Sequence, residues 1–139
     1  MTDRRFLIGT LFLSSLSVVT LPIAFGVTRS FAAPSPIAAL DKDSDGTLDL
    51  AEVKGGAAAV FDRLDKDNDT TLDRKEIGGR LSKTEFKEAD PDNDATLSKD
   101  EYLAFTEKLF SAADTDKDGT LDAKELHTKA GRALLRLIR

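Results

Sequence analysis

The chain lacks cysteine and tryptophan altogether, and its aromatic residues are one tyrosine and eight phenylalanines among 139 residues. Without cysteine it can form neither a disulfide bond nor a thiol-dependent catalytic site, so part of its stability must come from another source, such as bound cations. Histidine occurs once, at His127, where a solvated helix residue is expected rather than a catalytic metal ligand. Methionine occurs only as Met1, which argues against a Met-rich target-binding surface. A non-catalytic protein is the better prediction.

Negative charge dominates the chain and is concentrated towards its carboxyl-terminal part. The formal net charge is −5 for the whole sequence and −7 for residues 33–139, because the first 32 residues contain three basic residues and one acid. An anionic protein of this kind is not expected to bind nucleic acid or an acidic membrane.

The first 32 residues have the pattern of an export signal. A positive Arg-Arg pair is followed by an apolar stretch, residues 6–27, and by small residues at a cleavage site before Ala33. The arginine pair fits either the general or the twin-arginine export route, and an uncleaved membrane anchor is the alternative. We expect a signal peptide over residues 1–32 and a single domain over residues 33–139, with no membrane contact after cleavage.

Four acidic segments of twelve residues recur along the chain with the same internal order. Their starts are 24 or 25 residues apart, and we call them loops 1 to 4, with positions numbered 1 to 12. In every loop, carboxylates occupy positions 1, 3, 5 and 12, a threonine occupies position 7 and a leucine occupies position 8. The residues expected to bind metal are, loop by loop, Asp41, Asp43, Asp45, Thr47, Asp49 and Glu52; Asp65, Asp67, Asp69, Thr71, Asp73 and Glu76; Asp90, Asp92, Asp94, Thr96 and Glu101; and Asp114, Asp116, Asp118, Thr120, Asp122 and Glu125.

This order is that of the EF-hand loop, in which alternate side chains, the backbone carbonyl of position 7 and a terminal Glu bind one hard cation. The predicted fold is all-α: four helix–loop–helix units with short connecting helices in a compact bundle, and short β bridges between paired loops. About a dozen residues separate successive loops, roughly 18 Å as helix. Each connection is therefore expected to be one short helix or two stubs, and loop 1 is not expected to pair with loop 2 in the usual way.

The distribution of glycine and apolar residues predicts the individual helices. Residues 53–64 have one apolar helical stripe, which Gly55 and Gly56 are expected to interrupt. Residues 99–113 contain no Gly or Pro and are expected to form one continuous helix. The last helix is expected to span residues 126–138, with arginines near its carboxyl end.

Capping signals and a recurring apolar position support the same assignment. Ser82 with Glu85, and Ser98 with Glu101, have the spacing of capping boxes that begin helices. An apolar residue four positions before each loop is expected to face the core. These residues are Ile37, Phe61, Phe86 and Phe110.

Position 9 distinguishes these loops from an ordinary calcium site. It is Asp49, Asp73 and Asp122 in loops 1, 2 and 4, and Ser98 in loop 3. Three loops therefore offer five carboxylates and loop 3 offers four. Five carboxylates leave a formal charge of −3 around a divalent ion and −2 around a trivalent ion. Because hydration costs also rise with ion charge, this makes a trivalent ion plausible without proving it.

From about Ile37 to Arg139 the chain resembles lanmodulin, the exported lanthanide-binding protein family of methylotrophic bacteria. The resemblance rests on the short period, Asp at position 9, the stretch Asp90-Pro-Asp-Asn-Asp, the sequence Asp100-Glu-Tyr-Leu-Ala and the final Leu-Ile-Arg. It implies a periplasmic protein that binds lanthanide(III) ions selectively over Ca2+, folds on metal binding and has unusual loop pairing. Lanthanide capture, buffering or delivery to a protein acceptor is the function it implies.

Two features depart from that family. Proline at position 2 occurs only as Pro91. Position 6, where glycine suits a left-handed backbone, is glycine in loops 1 and 4 but Thr70 and Ala95 in loops 2 and 3. A side chain there costs about 1–2 kcal/mol. We expect loops 1 and 4 to be intact, loop 2 to be strained and loop 3 to be weakest. The alternative function is an exported calcium-binding buffer or sensor, which would use the same ligands.

Overall fold

A computed structural model describes residues 37–139; the predicted signal peptide and its cleavage site lie outside the described residues. None of the helices in the described part is long and apolar enough to cross a membrane. The secondary structure confirms a mainly helical domain with very short strands. In chain order the elements are β1 (Leu48–Asp49), α1 (Leu50–Leu64), β2 (Thr71–Leu72), α2 (Arg74–Ile77), α3 (Lys83–Ala89), β3 (Leu97–Ser98), α4 (Lys99–Ala113), β4 (Thr120–Leu121), α5 (Ala123–Leu126) and α6 (Lys129–Leu137).

The strands join the loops in two antiparallel pairs. Strand β1 of loop 1 pairs with β4 of loop 4, so that Leu48 lies opposite Leu121. Strand β2 of loop 2 pairs with β3 of loop 3, so that Leu72 lies opposite Leu97. All four leucines are fully buried. The predicted β bridges are confirmed, and loop 1 pairs with loop 4 rather than with its neighbour.

Helix length explains this pairing. Helices α1 and α4 have 15 residues each, about 22 Å, and they separate loop 1 from loop 2 and loop 3 from loop 4. Loops 2 and 3 are instead joined by α2 and α3, with a sharp break at Gly78, where φ is +56°. Of the three connections between successive loops, only the one between loops 2 and 3 therefore lets the chain turn back on itself, which brings these two loops together and leaves loops 1 and 4 for each other.

Two helix predictions need correction. Helix α1 continues through Gly55 and Gly56 without interruption. A Cβ on Gly56 would lie 2.9 Å from Leu40 Cδ2 and 3.4 Å from the carbonyl oxygen of Ile138, so this glycine permits close packing and does not end the helix. The single helix expected over residues 126–138 is two helices, α5 and α6.

The break between α5 and α6 has a local cause. Thr128 Oγ1 donates to the carbonyl oxygen of Glu125 at 2.7 Å and accepts from the amide of Gly131 at 3.0 Å, so it begins α6 as an N-cap. A Cβ on Gly131 would lie 2.2 Å from the Glu125 carbonyl oxygen. Only glycine fits this close turn without a backbone shift.

The core lies between the helices and beneath the loops. Helix α4 packs against both α1 and α6, and the ring of Tyr102 meets that of Phe61 edge to face, with centroids 5.7 Å apart. The four apolar residues predicted to precede the loops are all buried: Ile37, Phe61, Phe86 and Phe110. Phe61, Phe86 and Phe110 lie in the last turns of α1, α3 and α4, whereas Ile37 lies in a turn before loop 1 and not in the expected entering helix.

Candidate metal centres

Carboxylates converge in each of the four loops. In loops 1, 3 and 4 the residues at positions 1, 3 and 5 place one carboxylate oxygen each within 4.8 Å of the others, and in loop 2 the same holds for positions 1, 3 and 12. The clustered residues are Asp41, Asp43 and Asp45; Asp65, Asp67 and Glu76; Asp90, Asp92 and Asp94; and Asp114, Asp116 and Asp118. The structure thus brings together three of the predicted ligands within each loop.

Hydrogen bonds from the backbone hold these carboxylates in place. In loop 1, Asp41 Oδ2 accepts from the amide of Gly46 at 3.0 Å, and Asp45 Oδ1 accepts from the amide and the hydroxyl of Thr47 at 2.8 and 2.7 Å. Loops 2, 3 and 4 repeat both contacts. The position-7 threonine thus orients the position-5 carboxylate with its side chain, in addition to the role predicted for its backbone carbonyl.

Two positions in every loop have a left-handed backbone. Position 6 has φ of +90° and +89° at Gly46 and Gly119, and of +71° at both Thr70 and Ala95, as its glycine preference predicts. Position 4 is also left-handed, with φ between +58° and +63°, which the sequence analysis did not identify. Its residues are Ser44, Asn68, Asn93 and Lys117. Asparagine tolerates this conformation best of the four types, so the two asparagines were the feature of the sequence from which it could have been predicted.

The terminal glutamate of a loop is held by both carboxylate oxygens in loops 1, 2 and 4. In loop 4, Glu125 Oε1 accepts from the amide of Thr115 at 2.8 Å, and Oε2 accepts from the amide of Asp122 at 3.1 Å. Loops 1 and 2 have the same two bonds. In loop 3 position 2 is Pro91, which has no amide hydrogen. Glu101 is therefore held through Oε2 alone, by the amide and the hydroxyl of Ser98 at 2.9 and 2.8 Å.

The residues at position 9 cap the helix that leaves each loop. Asp49 Oδ1 accepts from the amide of Glu52 at 2.7 Å, Asp73 and Asp122 make the equivalent bonds, and Ser98 Oγ accepts from the amide of Glu101 at 3.3 Å. The other oxygen of each position-9 aspartate accepts no hydrogen bond from residues 37–139. These side chains lie outside the three-residue clusters, and their free oxygen leaves them able to bind an ion directly or through water.

Partial desolvation and mutual repulsion raise the pKa of the position-3 carboxyls of loops 1, 2 and 3, although these side chains are exposed. For Asp43 and Asp67 desolvation is the larger cause, and the charges of neighbouring loop acids add to it. For Asp92 a hydrogen bond from the Asp94 amide acts in the opposite direction but is outweighed, so its pKa is also raised. The pKa of Asp45 is lowered, chiefly by the hydroxyl and amide of Thr47. In loops 1 and 3, positions 3 and 5 therefore differ in how readily they take up a proton.

No cationic side chain among residues 37–139 pairs with a loop carboxylate. The four ion pairs of this part of the chain use acids outside the loops: Glu107, Asp62, Glu88 and Glu85. Within the loops, Asp65 Oδ1 and Asp114 Oδ1 are buried and have no hydrogen-bond partner. A buried anionic oxygen without a partner is costly, and a cation bound by the cluster would supply that partner. The donor set, all oxygen, suits a hard cation.

His127 lies outside these clusters. It is exposed, it follows the last residue of α5, and its Nδ1 contacts the backbone carbonyl of Ala123. It is therefore solvated, as predicted, but it caps the end of α5 rather than lying within a helix.

Comparison with known families agrees with the loop geometry. Residues 106–128, which contain loop 4, match the family model described as EF hand, a domain that is typically a non-catalytic binding module. No curated protein matches the chain. The matched segment and the four acidic clusters, joined in pairs by short antiparallel bridges, are thus consistent with calcium-type EF-hand metal sites.

Proposed function

We propose that this is an exported, lanmodulin-like binding protein, which takes up lanthanide(III) ions in preference to Ca2+ and folds as it binds them. Such a protein would capture, buffer or deliver these ions in the periplasm. The observation that carries the proposal is the carboxylate at position 9. In three loops it sits on the first turn of a helix with one oxygen free, beside four further carboxylates of the same loop.

The charge of these loops favours an ion of higher charge. Five carboxylates leave −3 on a site with a divalent ion and −2 with a trivalent ion. None of them forms an ion pair with a cationic side chain within the described residues, although the charge of Lys75 acts on Asp73. The bound ion is therefore the main source of compensating charge, and each additional unit of ion charge relieves repulsion among all five carboxylates.

The same charge distribution supports folding upon metal binding. Nineteen of the 24 acids in residues 33–139 occupy ligand positions of the loops. Repulsion among them opposes a compact state, whereas ion binding contributes directly to the free energy of folding. We expect the helical content of the protein to fall strongly after exhaustive chelation, and circular dichroism measures it. An equally helical chelated protein would contradict this part of the proposal.

Calcium binding is the second candidate, and one observation favours it in loop 3. That loop has Ser98 at position 9 and so only four carboxylates at its ligand positions, and their charge suits a divalent ion better than the charge of the other loops. A calcium buffer or sensor would bind through the same residues. The two candidates differ in the ratio of affinities for La3+ and Ca2+.

A competition titration measures that ratio. Metal-free protein in millimolar Ca2+ is titrated with La3+, and helicity reports folding. We expect compaction at a far lower concentration of La3+ than of Ca2+. If La3+ and Ca2+ caused compaction at equal concentrations, the protein would be a general calcium-binding protein without lanthanide selectivity.

A matched variant tests the origin of the selectivity. Replacing the three position-9 aspartates by serine (D49S, D73S and D122S) copies the natural choice of loop 3, whose Ser98 still caps its helix. We expect this variant to fold but to lose much of its preference for La3+ over Ca2+. Asp100 is exposed and outside the ligand positions, so D100N is the control for loss of charge alone. An unchanged ratio in the triple variant would exclude position 9 as the cause.

Export to the periplasm is part of the proposal and rests on the signal pattern of residues 1–32. Cell fractionation, with amino-terminal sequencing of the recovered protein, tests it. Recovery of a chain that starts at Ala33 from the periplasmic fraction is the expected result.

A further inference from the structure

We propose that an arginine-rich surface near the carboxyl end of the domain is a docking site for an acidic segment of a protein partner. The segment it fits carries an aromatic or aliphatic side chain beside its carboxylates. This inference goes beyond the proposed function, because it concerns the folded protein whichever ion fills the loops.

Two neighbouring cavities form this surface, which we call the arginine face. The first has a volume of about 340 Å3, and its apolar walls are Ile37, Ala123, Leu126 and Leu135. Its remaining lining is Arg132, Arg139 and His127. The second cavity, of about 470 Å3, shares Leu135 and Arg139 with the first, and its other lining residues are Gly79, Arg80 and Arg136.

The arginine face is cationic in a protein that is otherwise acidic. Residues 33–139 have a formal charge of −7 and contain six arginines, of which four line this face. No aspartate or glutamate lines either cavity. The face is therefore a local positive region, and its charge is complementary to carboxylates.

Two of the four arginines serve the domain itself. Arg80 donates to the carbonyl oxygens of Arg136 and Arg139, which lie at the end of the α6 segment. Arg136 donates to the carbonyl oxygen of Arg80 at 2.9 Å and forms an ion pair with Glu85 at 2.8 Å. These contacts hold the connection between loops 2 and 3 against α6, so Arg80 and Arg136 have a structural role.

Arg132 and Arg139 have no such role. Both side chains are exposed, and neither guanidinium group forms an ion pair or a hydrogen bond within residues 37–139. The carbonyl oxygens at the end of α6 are already bound by Arg80, so these two arginines are not needed to stabilise that helix end. Their donors are free for a ligand from outside the domain.

The chemistry of the first cavity specifies that ligand. A guanidinium group presents a planar fork of donors that binds a carboxylate through two parallel hydrogen bonds. The apolar walls beside it can take an aromatic or aliphatic side chain, which is the arrangement of an anchor residue at a protein interface. Arginine clusters recognise acidic motifs in this way.

The extent of the arginine face favours a protein segment over a small free anion. Because the two cavities share Leu135 and Arg139, the surface continues beyond the first cavity, as an extended chain requires. An anionic membrane presents a broad negative surface, which the charge of −7 on the rest of the domain repels. A short segment lies within about 8–10 Å of the arginines, where screening leaves their attraction effective.

Selection from a library of random short peptides tests the inference. The metal-loaded protein is the bait, and the double variant R132Q and R139Q, whose loops are intact, serves for counter-selection. Peptides that bind through the loop ions bind both proteins and are removed. We expect the remaining peptides to combine acidic residues with an aromatic or aliphatic residue. No enrichment over the double variant would overturn the inference.

NMR locates one selected peptide on the metal-loaded protein. We expect the amide signals of Leu135 and Arg139 to shift, and those of Gly46 and Gly119 in the loops to stay unchanged. Shifts confined to the loops would place the peptide on the ions and would exclude the arginine face as its site.

Matched variants test the chemistry of recognition. R132Q with R139Q is expected to raise the Kd of the selected peptide about 5- to 30-fold, measured by fluorescence anisotropy. The control, K83Q with K87Q, removes the same charge from exposed positions that line neither cavity and should change the Kd less than about twofold. Equal weakening by both variants would mean general attraction between charges, which contradicts a defined site.

Two further measurements do not depend on the folding of any variant. Replacing the acids of the selected peptide by their amides should weaken binding to the native protein, and unchanged binding would overturn the inference. Vesicles of phosphatidylglycerol should not bind to the metal-loaded protein. Vesicle binding that R132Q with R139Q abolishes would assign the face to a membrane surface instead.

Comparison of the protein loaded with Ca2+ and with La3+ separates this inference from the proposed function. If the two ions bind equally tightly but the peptide binds both loaded forms, the selectivity proposal fails and the docking site stands. If La3+ is strongly preferred but no peptide distinguishes the native protein from R132Q with R139Q, the docking site fails and the selectivity stands.

Discussion

The two loop pairs share nearly the same carboxylates but support them with different backbones. Loops 1 and 4 have glycine at position 6 and place Ser44 and Lys117 in the left-handed conformation at position 4. Loops 2 and 3 do the reverse: asparagine occupies position 4, and Thr70 and Ala95 occupy position 6. Each pair therefore has a favourable residue at one left-handed position and an unfavourable one at the other.

The difference shows that the number and type of ligands do not by themselves determine which loops bind metal more tightly. Glycine relieves strain more completely than asparagine, and position 6 is the position whose amide binds the carboxylate of position 1 in every loop. Strain at position 6 therefore acts directly on a metal ligand. By this measure loops 1 and 4 are the better sites, and four predictions can contradict or refine that ranking.

The largest expected effect comes from removing a terminal carboxylate of the first pair. Glu125 is buried and accepts bonds from Thr115 and Asp122, and Glu125→Gln keeps its size while removing its charge. We expect the affinity of loop 4 to fall on the order of a hundredfold, with a smaller fall in loop 1. Glu101→Gln should leave loops 1 and 4 nearly unchanged. Isothermal titration calorimetry with La3+ measures the affinities of both variants. If Glu101→Gln weakened loops 1 and 4 as much as Glu125→Gln does, the two loop pairs would not bind metal independently.

A buried hydrogen bond next to the second pair gives the next largest effect. Tyr102→Phe keeps the ring contact with Phe61 but leaves the carbonyl oxygen of Leu137 without its donor, 2.8 Å away in the native protein. We expect the free energy of unfolding of the metal-loaded protein to fall by about 1–3 kcal/mol. Chemical denaturation measures it. An unchanged free energy would mean that α4 and the end of α6 are not held together by this bond.

Position 2 offers a smaller and reciprocal test. Pro91→Ala supplies loop 3 with the amide donor that Glu101 lacks, and Lys66→Pro removes that donor from Glu76, which accepts it at 3.0 Å. One hydrogen bond changes the affinity by about 2- to 12-fold, tighter in the first variant and weaker in the second. Site-resolved titration checks both. Changes of the same sign would show that another property of proline dominates.

The smallest effect concerns pH in the metal-free protein. The pKa values of Asp43, Asp67 and Asp92 are raised above the usual 3.8, so the folded state holds these protons more tightly than the unfolded chain. Acidification through the range just above 3.8 therefore favours folding. Below this pH range, Asp45 and Asp94, whose pKa values are lowered, become protonated. The folded state then loses the stabilisation that their ionised forms provide.

Helicity of the chelated protein should accordingly pass through a shallow maximum close to the ordinary aspartate pKa of 3.8. Circular dichroism across a pH series measures it. A steady decrease in helicity from neutral pH downward would show that the position-3 carboxyls do not dominate the acid response.

Much of each candidate site could be predicted from the sequence, because a loop of twelve residues is a local structure. The spacing of the carboxylates, the left-handed position 6 and the capping boxes at Ser82 and Ser98 all follow from nearest neighbours along the chain, and the structure has each of them. The left-handed position 4 was also local but was not identified. Only the two asparagines signalled it, and Ser44 and Lys117 carry no such preference.

The helix boundaries were predictable only where no tertiary contact competed. The predicted bounds of helix α4, residues 99–113, agree with the structure at both ends. The interruption of α1 at Gly55 and Gly56 was wrong because Gly56 packs against Leu40 and Ile138, which are distant in sequence. The break before α6 was missed because its signal, Thr128 as N-cap with Gly131 three residues later, lies inside an otherwise continuous apolar pattern.

The sequence by itself determined that this chain has four oxygen-rich loops and which side chains line them, because ligand geometry within a loop depends on local spacing. Only the tertiary structure decided that loop 1 joins loop 4 and loop 2 joins loop 3. Two helices of 15 residues hold neighbouring loops apart, whereas the break at Gly78 lets the chain reverse between loops 2 and 3. The pairing is thus a consequence of helix length and of one turn, and neither is encoded within any single loop.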